Sequence, residues 1–348
     1  MRRAVVERPG ATSRKRPVTV LLPNGDWVTE ITDRLSVEPP RAGADAVHLA
    51  ALTDSVASGR DDPAAAQILE STEFYVPAYM GPASGLELMA RMPRLRVVQA
   101  LTTGVDDVLA HLPVGVTLCS AAGVHAESTA ELAIGLAVAC VRGIDEAARA
   151  MPEGRWTHAQ HPTLIGAHAL VVGAGALGRG IVERLRPFGA RVRVVSRTPR
   201  DAVSPAADPG LDSGVASGES MDRLHDALAW ANVVFLAVPL TPSTTGLLDA
   251  AALAALGDGA LVVNVSRGAV LDQGAALAEC GRLRFALDVT VPEPLPPGDP
   301  LWHAPGVLIT PHSGGDTTTS AEAARTLVLQ QILRVANSEP LRNVVQSG

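Results

Sequence analysis

Three segments of the chain carry side chains able to bind an anion and move a proton. They are Val263-Asn-Val265-Ser266-Arg267-Gly-Ala-Val-Leu-Asp272, Ala286-Leu-Asp288-Val-Thr290-Val-Pro-Glu293-Pro294 and Thr310-Pro-His312-Ser-Gly-Gly315. Each follows a short aliphatic run, and open α/β sheets place ligands outside the carboxyl ends of such strands. Arginine suits bidentate capture of a carboxylate. Histidine exchanges a proton near neutral pH, and a neighbouring carboxylate favours its charged form. Arg267, a carboxylate (Asp288 or Glu293) and His312 therefore make a credible acid/base site. Each also has a dull reading: a surface cation, a solvated loop acid between prolines, a capping residue. Only the combination speaks for chemistry.

A fourth segment suits phosphate. Gly173-Ala-Gly175-Ala176-Leu177-Gly178 fits GxGxxG, directly after an aliphatic run and opening a helical pattern with Leu177, Ile181, Val182 and Leu185 on one face. Gly173 permits a tight turn, Gly175 lets backbone approach a pyrophosphate, and Gly178 allows close packing of helix on strand. The helix N-terminus then presents free N–H groups to the phosphates. A glycine turn that binds nothing is the competing reading, and the ordered strands and helix around it favour the dinucleotide. A ribose-binding acid is expected about 20 residues beyond the glycines. That place holds Ser196, then Arg197, Thr198 and, further on, Arg200. An arginine fork with two hydroxyls suits a 2′-phosphate, which predicts NADP(H) in preference to NAD.

These segments need elements to hold them. Short strands are expected at 17–23, 74–80, 95–100, 169–172, 192–195, 233–238, 261–265, 285–289 and 307–310. Helices are expected at 86–92, 126–141 and 317–336, with loops at 151–156 and 200–220. Strands alternating with helices predict an α/β fold with parallel sheets covered on both faces.

Composition agrees. A chain of 348 residues makes one large domain or two ordinary ones. At 47% hydrophobic it is not disordered as a whole, and at 3% aromatic its cores must be aliphatic. A net charge of -7 argues against nucleic-acid binding. Cys119, Cys140 and Cys280 form no CxxC pair and read as small buried hydrophobes in a reducing compartment. The histidines have no metal-ligand spacing, so no metal is expected. Residues 1–16, with Arg2, Arg3, Arg14, Lys15 and Arg16, read as a solvated, disordered basic arm rather than a signal peptide. The longest apolar run, 132–141, is too short to span a bilayer. A cytoplasmic protein without membrane or nucleic-acid partners is expected.

From about Leu95 to Arg325 the chain resembles the D-isomer-specific 2-hydroxyacid dehydrogenases. The resemblance rests on Val172 to Gly178, Val238-Pro239-Leu-Thr241, Asn264 to Gly268, Asp288 to Pro294, Leu301-Trp302 and Thr310 to Gly315. It implies two Rossmann-like domains: a flavodoxin-like substrate domain of residues 17–123 and 317–348, with a dinucleotide-binding domain, 124–316, inserted. It implies that Arg267 orients the 2-oxo acid, that His312 donates the proton and that Glu293 orients His312. It gives the substrate carboxylate to the backbone N–H groups of Thr103 and Gly104. Asp288 would meet the nicotinamide end of the cofactor, with Val238, Pro239, Thr241, Val265 and Ser266 beside it. The implied reaction is NAD(P)H-dependent reduction of a small 2-oxo acid, of the glyoxylate or hydroxypyruvate type, by a homodimer. The helix at 126–141 is a candidate interface element, or is buried within one chain. Alternatives are oxidation of a phosphoglycerate-like 2-hydroxy acid, or cofactor sensing without turnover. The chain's end soon after its last helix is expected to leave no room for a regulatory domain. Three places depart from the family: Thr290 where an aromatic is common, Ser120-Ala-Ala, and His125 where asparagine is commoner.

Overall fold

The computed structural model describes residues 4–6, 17–58, 62–197 and 218–348. The chain divides into two units, Met1–His125 with Thr318–Gly348, and Ala126–Thr317.

The first unit holds β1 (Ala4–Val6), β2 (Val18–Leu22), β3 (Val47–Ala51), β4 (Thr72–Tyr75), β5 (Val97–Gln99), β6 (Thr117–Cys119) and the last strand of the chain, β14 (Val344–Gln346). The sheet order is β1-β3-β2-β4-β5-β6-β14. The inner five strands are parallel in flavodoxin-like order, and the two outer ones are antiparallel to their neighbours. Here the expectation of an arm over 1–16 is corrected. Ala4–Val6 is an edge strand on β3, in keeping with the strand preference of Val5 and Val6. The rest of that arm lies outside the described residues. The strand expected at 74–80 instead starts at Thr72 and ends at Tyr75. Pro77 has no N–H for a ladder, and Met80 takes φ +48, so the chain turns away. The helix expected at 86–92 is a short helix, Ala83–Glu87, continued by a 3₁₀ turn, Leu88–Arg91.

Both faces of this sheet are covered. Trp27, Val28, Ile31 and Leu35 of the helix Gly25–Val37 share one aliphatic cluster with Val328 and Ile332 of the C-terminal helix Thr318–Ala336. Ile68, Leu69, Leu86 and Met89 belong to the cluster built on the inward residues Leu21, Tyr75 and Val98. A fully buried aliphatic side chain contributes about 1.5–3 kcal/mol relative to exposure, so these faces fix the sheet's covering.

The second unit holds β7 (His168–Val172), β8 (Arg191–Ser196), β9 (Glu219–Ser220), β10 (Val233–Leu236), β11 (Leu261–Asn264), β12 (Arg284–Leu287) and β13 (Val307–Ile309). All neighbours are parallel, in the order β13-β12-β11-β10-β7-β8-β9. Strands buried on both sides need continuous apolar runs, and β10 (VVFL) and β11 (LVVN) are buried at every residue. The helix Ala126–Val141 buries Ala130, Ala133, Leu136 and Ala137 within this unit. Its small residues let the helix Ala176–Leu185 approach closely: a Cβ on Gly180 would lie 3.0 Å from that of Ala130. The strand order reverses between β7 and β10, which opens a crevice at their carboxyl ends.

Candidate active site

The glycine loop follows β7 at that crevice. Gly173 has φ +116, and a Cβ there would lie 2.3 Å from the carbonyl oxygen of Ala237, in the loop after β10. A Cβ on Gly178 would lie 1.9 Å from the oxygen of Gly173. These two glycines are therefore required by the turn itself. Gly175 is different, because a Cβ there would meet nothing within 4 Å. It is the N-cap of the helix Ala176–Leu185 and offers no side-chain cap, so the N–H groups of the first turn are open to an anion. Open space above Gly175 with uncapped donors behind it fits the pyrophosphate of a dinucleotide. Ser196, at the end of β8, is buried, and Arg197 after it is exposed. Thr198 and Arg200 lie outside the described residues. Beside the glycines, the loop Val238 to Thr241 is pinned by Thr244, whose hydroxyl donates to the Pro239 oxygen at 2.6 Å and accepts from the Thr241 N–H at 2.8 Å.

Arg267 stands in the loop after β11. Asn264, fully buried, holds that loop: its Oδ1 accepts from the N–H and hydroxyl of Ser266 at 3.1 and 2.9 Å, and its Nδ2 donates to the Arg267 oxygen at 3.0 Å. Val265 and Ser266 are buried there. Glu293 stands in the neighbouring loop after β12, with one carboxylate oxygen accepting from the Thr290 N–H at 3.0 Å. Its other oxygen lies 2.6 Å from Nδ1 of His312, in the loop after β13. Three adjacent parallel strands thus deliver the arginine, the acid and the histidine to one edge of the sheet. Burial opposes the charge on Glu293. The bonds from His312 and Thr290 and the positive charges of His312 and Arg267 outweigh it, so the carboxyl sits below its ordinary range.

Asp288 is almost fully buried, and its carboxylate is turned to the His312 loop. It accepts from the Thr310 hydroxyl at 2.6 Å and from the N–H groups of Ser313 and Gly314, each at 2.9 Å. His312 takes φ +52 in that loop, and its own N–H donates to the Asp288 oxygen at 2.8 Å. Asp288 therefore shapes the turn that presents the histidine. Thr290 is buried and spends its hydroxyl on the Pro292 oxygen at 3.0 Å. It braces the Glu293 loop.

In the first unit, Thr103 and Gly104 lie in the loop after β5. Neither of their N–H groups has a backbone partner among the described residues. The loop is fixed by Ala121 N–H to the Thr102 oxygen at 2.9 Å and by His125 Nε2 to the Leu101 oxygen at 2.6 Å. A carbonyl only accepts, so Nε2 is the donor. The His125 ring lies 5.4 Å from that of Tyr79.

Sequence reasoning gave no role to Gln273 and Thr244, and quoted Asn264 only as part of a motif. Asn264 alone left a signal, being a polar residue at the end of an aliphatic strand. Among the described residues no cluster of three or more His, Cys, Asp or Glu could hold a metal, and no helix is long and apolar enough to cross a membrane.

Fold and site together define a two-unit α/β protein with a dinucleotide loop beside an Arg–Glu–His set. The model of the family described as D-isomer specific 2-hydroxyacid dehydrogenase, NAD binding domain, matches residues 134–314. The chain is 32% identical over 267 residues to the D-3-phosphoglycerate dehydrogenase of Methanocaldococcus jannaschii, covering 74% of this chain and 49% of that relative. It thus spans about half the length of that protein. It is 30% identical to the glyoxylate reductase of Korarchaeum cryptofilum, covering 74% of this chain and 78% of the relative. A crystal structure of a D-isomer specific 2-hydroxyacid dehydrogenase from Xanthobacter autotrophicus Py2 in complex with NADPH and MES is similar with a TM-score of 0.72. It is 29% identical, over 95% of this chain and 98% of that one. The chain belongs to the D-isomer specific 2-hydroxyacid dehydrogenase family.

Proposed function

We propose that the protein reduces a small 2-oxo acid of the glyoxylate or hydroxypyruvate type to the D-2-hydroxy acid, with NADPH preferred over NADH. The observation that carries this reading is the 2.6 Å pair between His312 Nδ1 and Glu293 on neighbouring strand ends, with Arg267 on the next. A bound nicotinamide supplies the hydride for the carbonyl carbon. Glu293 accepts a hydrogen bond from Nδ1–H, fixes the ring and leaves Nε2 to face the substrate. As the C=O double bond opens, Nε2 gives its proton to the oxygen, and in the reverse direction it takes that proton back. Arg267 holds the oxo acid and polarises its carbonyl. Arg197 and Ser196 support the phosphate preference.

A panel measurement tests the reading. Purified protein oxidises NADPH with at least one 2-oxo acid, and His312→Asn lowers turnover by about 10²–10⁴-fold, the usual worth of a proton-transferring group. Tight cofactor binding with no turnover on any acid refutes it and leaves the sensing reading. The identity to phosphoglycerate dehydrogenases favours a second reading, oxidation of a phosphorylated hydroxy acid. Faster turnover of 3-phosphoglycerate with NAD than of any oxo acid with NADPH selects it. The proposed protein acts as a cytoplasmic homodimer, and light scattering at micromolar concentration checks the stoichiometry.

A further inference from the structure

The loop that carries Glu293 has few ways to be held. Pro292 and Pro294 flank the acid and offer no N–H. Thr290 spends its N–H and hydroxyl inside the loop, on Glu293 and Pro292. Further along, the Trp302 indole N–H holds the Pro296 oxygen at 2.8 Å, and beside Glu293 itself the grip comes from Gln273. The amide of Gln273 accepts from the Val291 N–H at 3.0 Å and donates to the Val291 oxygen at 2.9 Å. Both polar groups of Val291 are thereby satisfied by a single amide, much as a strand partner would satisfy them.

The platform under Gln273 is fixed. It opens the helix Gln273–Ala278, capped by Asp272, whose carboxylate accepts from the Ala275 N–H at 2.9 Å. Asp272 N–H donates to the Leu248 oxygen at 3.0 Å, and Leu271 is buried. The segment leading to Gln273 is the one that leaves Arg267. On its near side Gly268 lies against Thr290 so closely that a Cβ would stand 2.1 Å from the Thr290 oxygen. The Arg267 loop and the Glu293 loop are thus fastened twice, by backbone contact at Gly268 and by the Gln273 amide at Val291.

We infer that Gln273 is a positioning residue of the proton-transfer pair: it holds the Glu293 loop against the Arg267 loop and so sets how Glu293 meets His312. The inference rests on the proposed roles of Glu293 and His312. It explains why an amide suits this place, since an amide carries an acceptor and a donor side by side for the N–H and the oxygen of one residue.

The test uses the full chain with Gln273→Ala and Gln273→Glu. The first readout needs no substrate: the downfield Nδ1 proton of His312 in NMR, the signature of its bond to Glu293. In Gln273→Ala this resonance broadens or is lost, while NADPH affinity stays within about twofold. The second readout is steady-state kinetics, in which kcat falls about tenfold to a hundredfold at unchanged KM for NADPH. Gln273→Glu keeps the acceptor for Val291 N–H but sets a carboxylate oxygen against the Val291 oxygen, so it too weakens the resonance and lowers kcat while NADPH affinity holds. A wild-type resonance and wild-type kcat in Gln273→Ala overturn the inference. So does a loss in which melting temperature, cofactor affinity and kcat fall together in both variants, which marks a merely structural residue. If wild type turns over no acid, the proposed function fails, and the resonance alone still decides whether Gln273 sets the pair.

Discussion

Arg197 and Glu293 illustrate what single side chains decide. Arg197 is exposed at the end of β8, beside the buried Ser196, where a dehydrogenase selecting NAD carries an acid. Arg197→Asp is expected to weaken NADPH at least about tenfold more than NADH, the worth of one charge-assisted contact to phosphate. Equal losses for both nucleotides, read from titrations of intrinsic fluorescence, remove the phosphate argument. Glu293 has a lowered carboxyl, held down against burial by His312, Thr290 and Arg267. A depressed folded value contributes stability above the ordinary glutamate value of 4.5, and that contribution is lost as pH falls through the lowered one. The urea midpoint of wild type therefore exceeds that of Glu293→Gln at pH 7, and the gap narrows below pH 4.5. A gap that widens with acid contradicts the assignment.

At the scale of elements, the glycine loop separates folding from binding. A methyl group on Gly178 meets the Gly173 oxygen, and one on Gly175 meets open space. Gly178→Ala is expected to cost about 1–3 kcal/mol of stability through overpacking, seen as a lower melting temperature. Gly175→Ala is expected to melt within a degree or two of wild type, yet to bind NADPH at least about tenfold more weakly, because the added carbon occupies the pyrophosphate's approach. An unchanged affinity would show that no dinucleotide uses this loop. The central strands of the second unit were legible in advance, since runs such as Val233–Leu236 are continuous and apolar between turn residues. By contrast β9 (Glu219–Ser220) lies at the end of the stretch expected as a loop, and the short helices such as Gln273–Ala278 left no pattern. In the first unit β2, β4, β5 and the C-terminal helix Thr318–Ala336 were legible too, but the helix Gly25–Val37 and the strands β3 and β6 were not. The helix Gly25–Val37 mixes Asp, Thr, Glu and Arg with four buried apolar residues, and β3 reads VHLAA, whose histidine and alanines carry little strand preference. Tertiary packing overrides such weak local signals.

For the whole molecule, aliphatic cores with few aromatics bury the thiols with the other small hydrophobes. Cys140 and Cys119 are fully buried in different units, and burial pushes their thiols up to about 12 and about 11. Cys280 is partly exposed and also raised by burial. A thiolate is the reactive form, so at pH 8 a maleimide is expected to label Cys280 alone, and slowly, in the native protein, and all three in urea. Rapid native labelling of Cys119 or Cys140 would show that its unit opens. Residue order along the chain by itself determined the parallel, aliphatic architecture of the second unit and brought Arg267, Glu293 and His312 to the ends of successive strands, because period and spacing are local properties that neighbouring residues encode. Only the tertiary structure decided that Asp288 faces the His312 loop, that Thr290 braces Glu293, and that Asn264 and Gln273 hold the loops around them. Those roles depend on where carbonyls and N–H groups from distant segments point, and a sequence states which groups exist but not which of them meet.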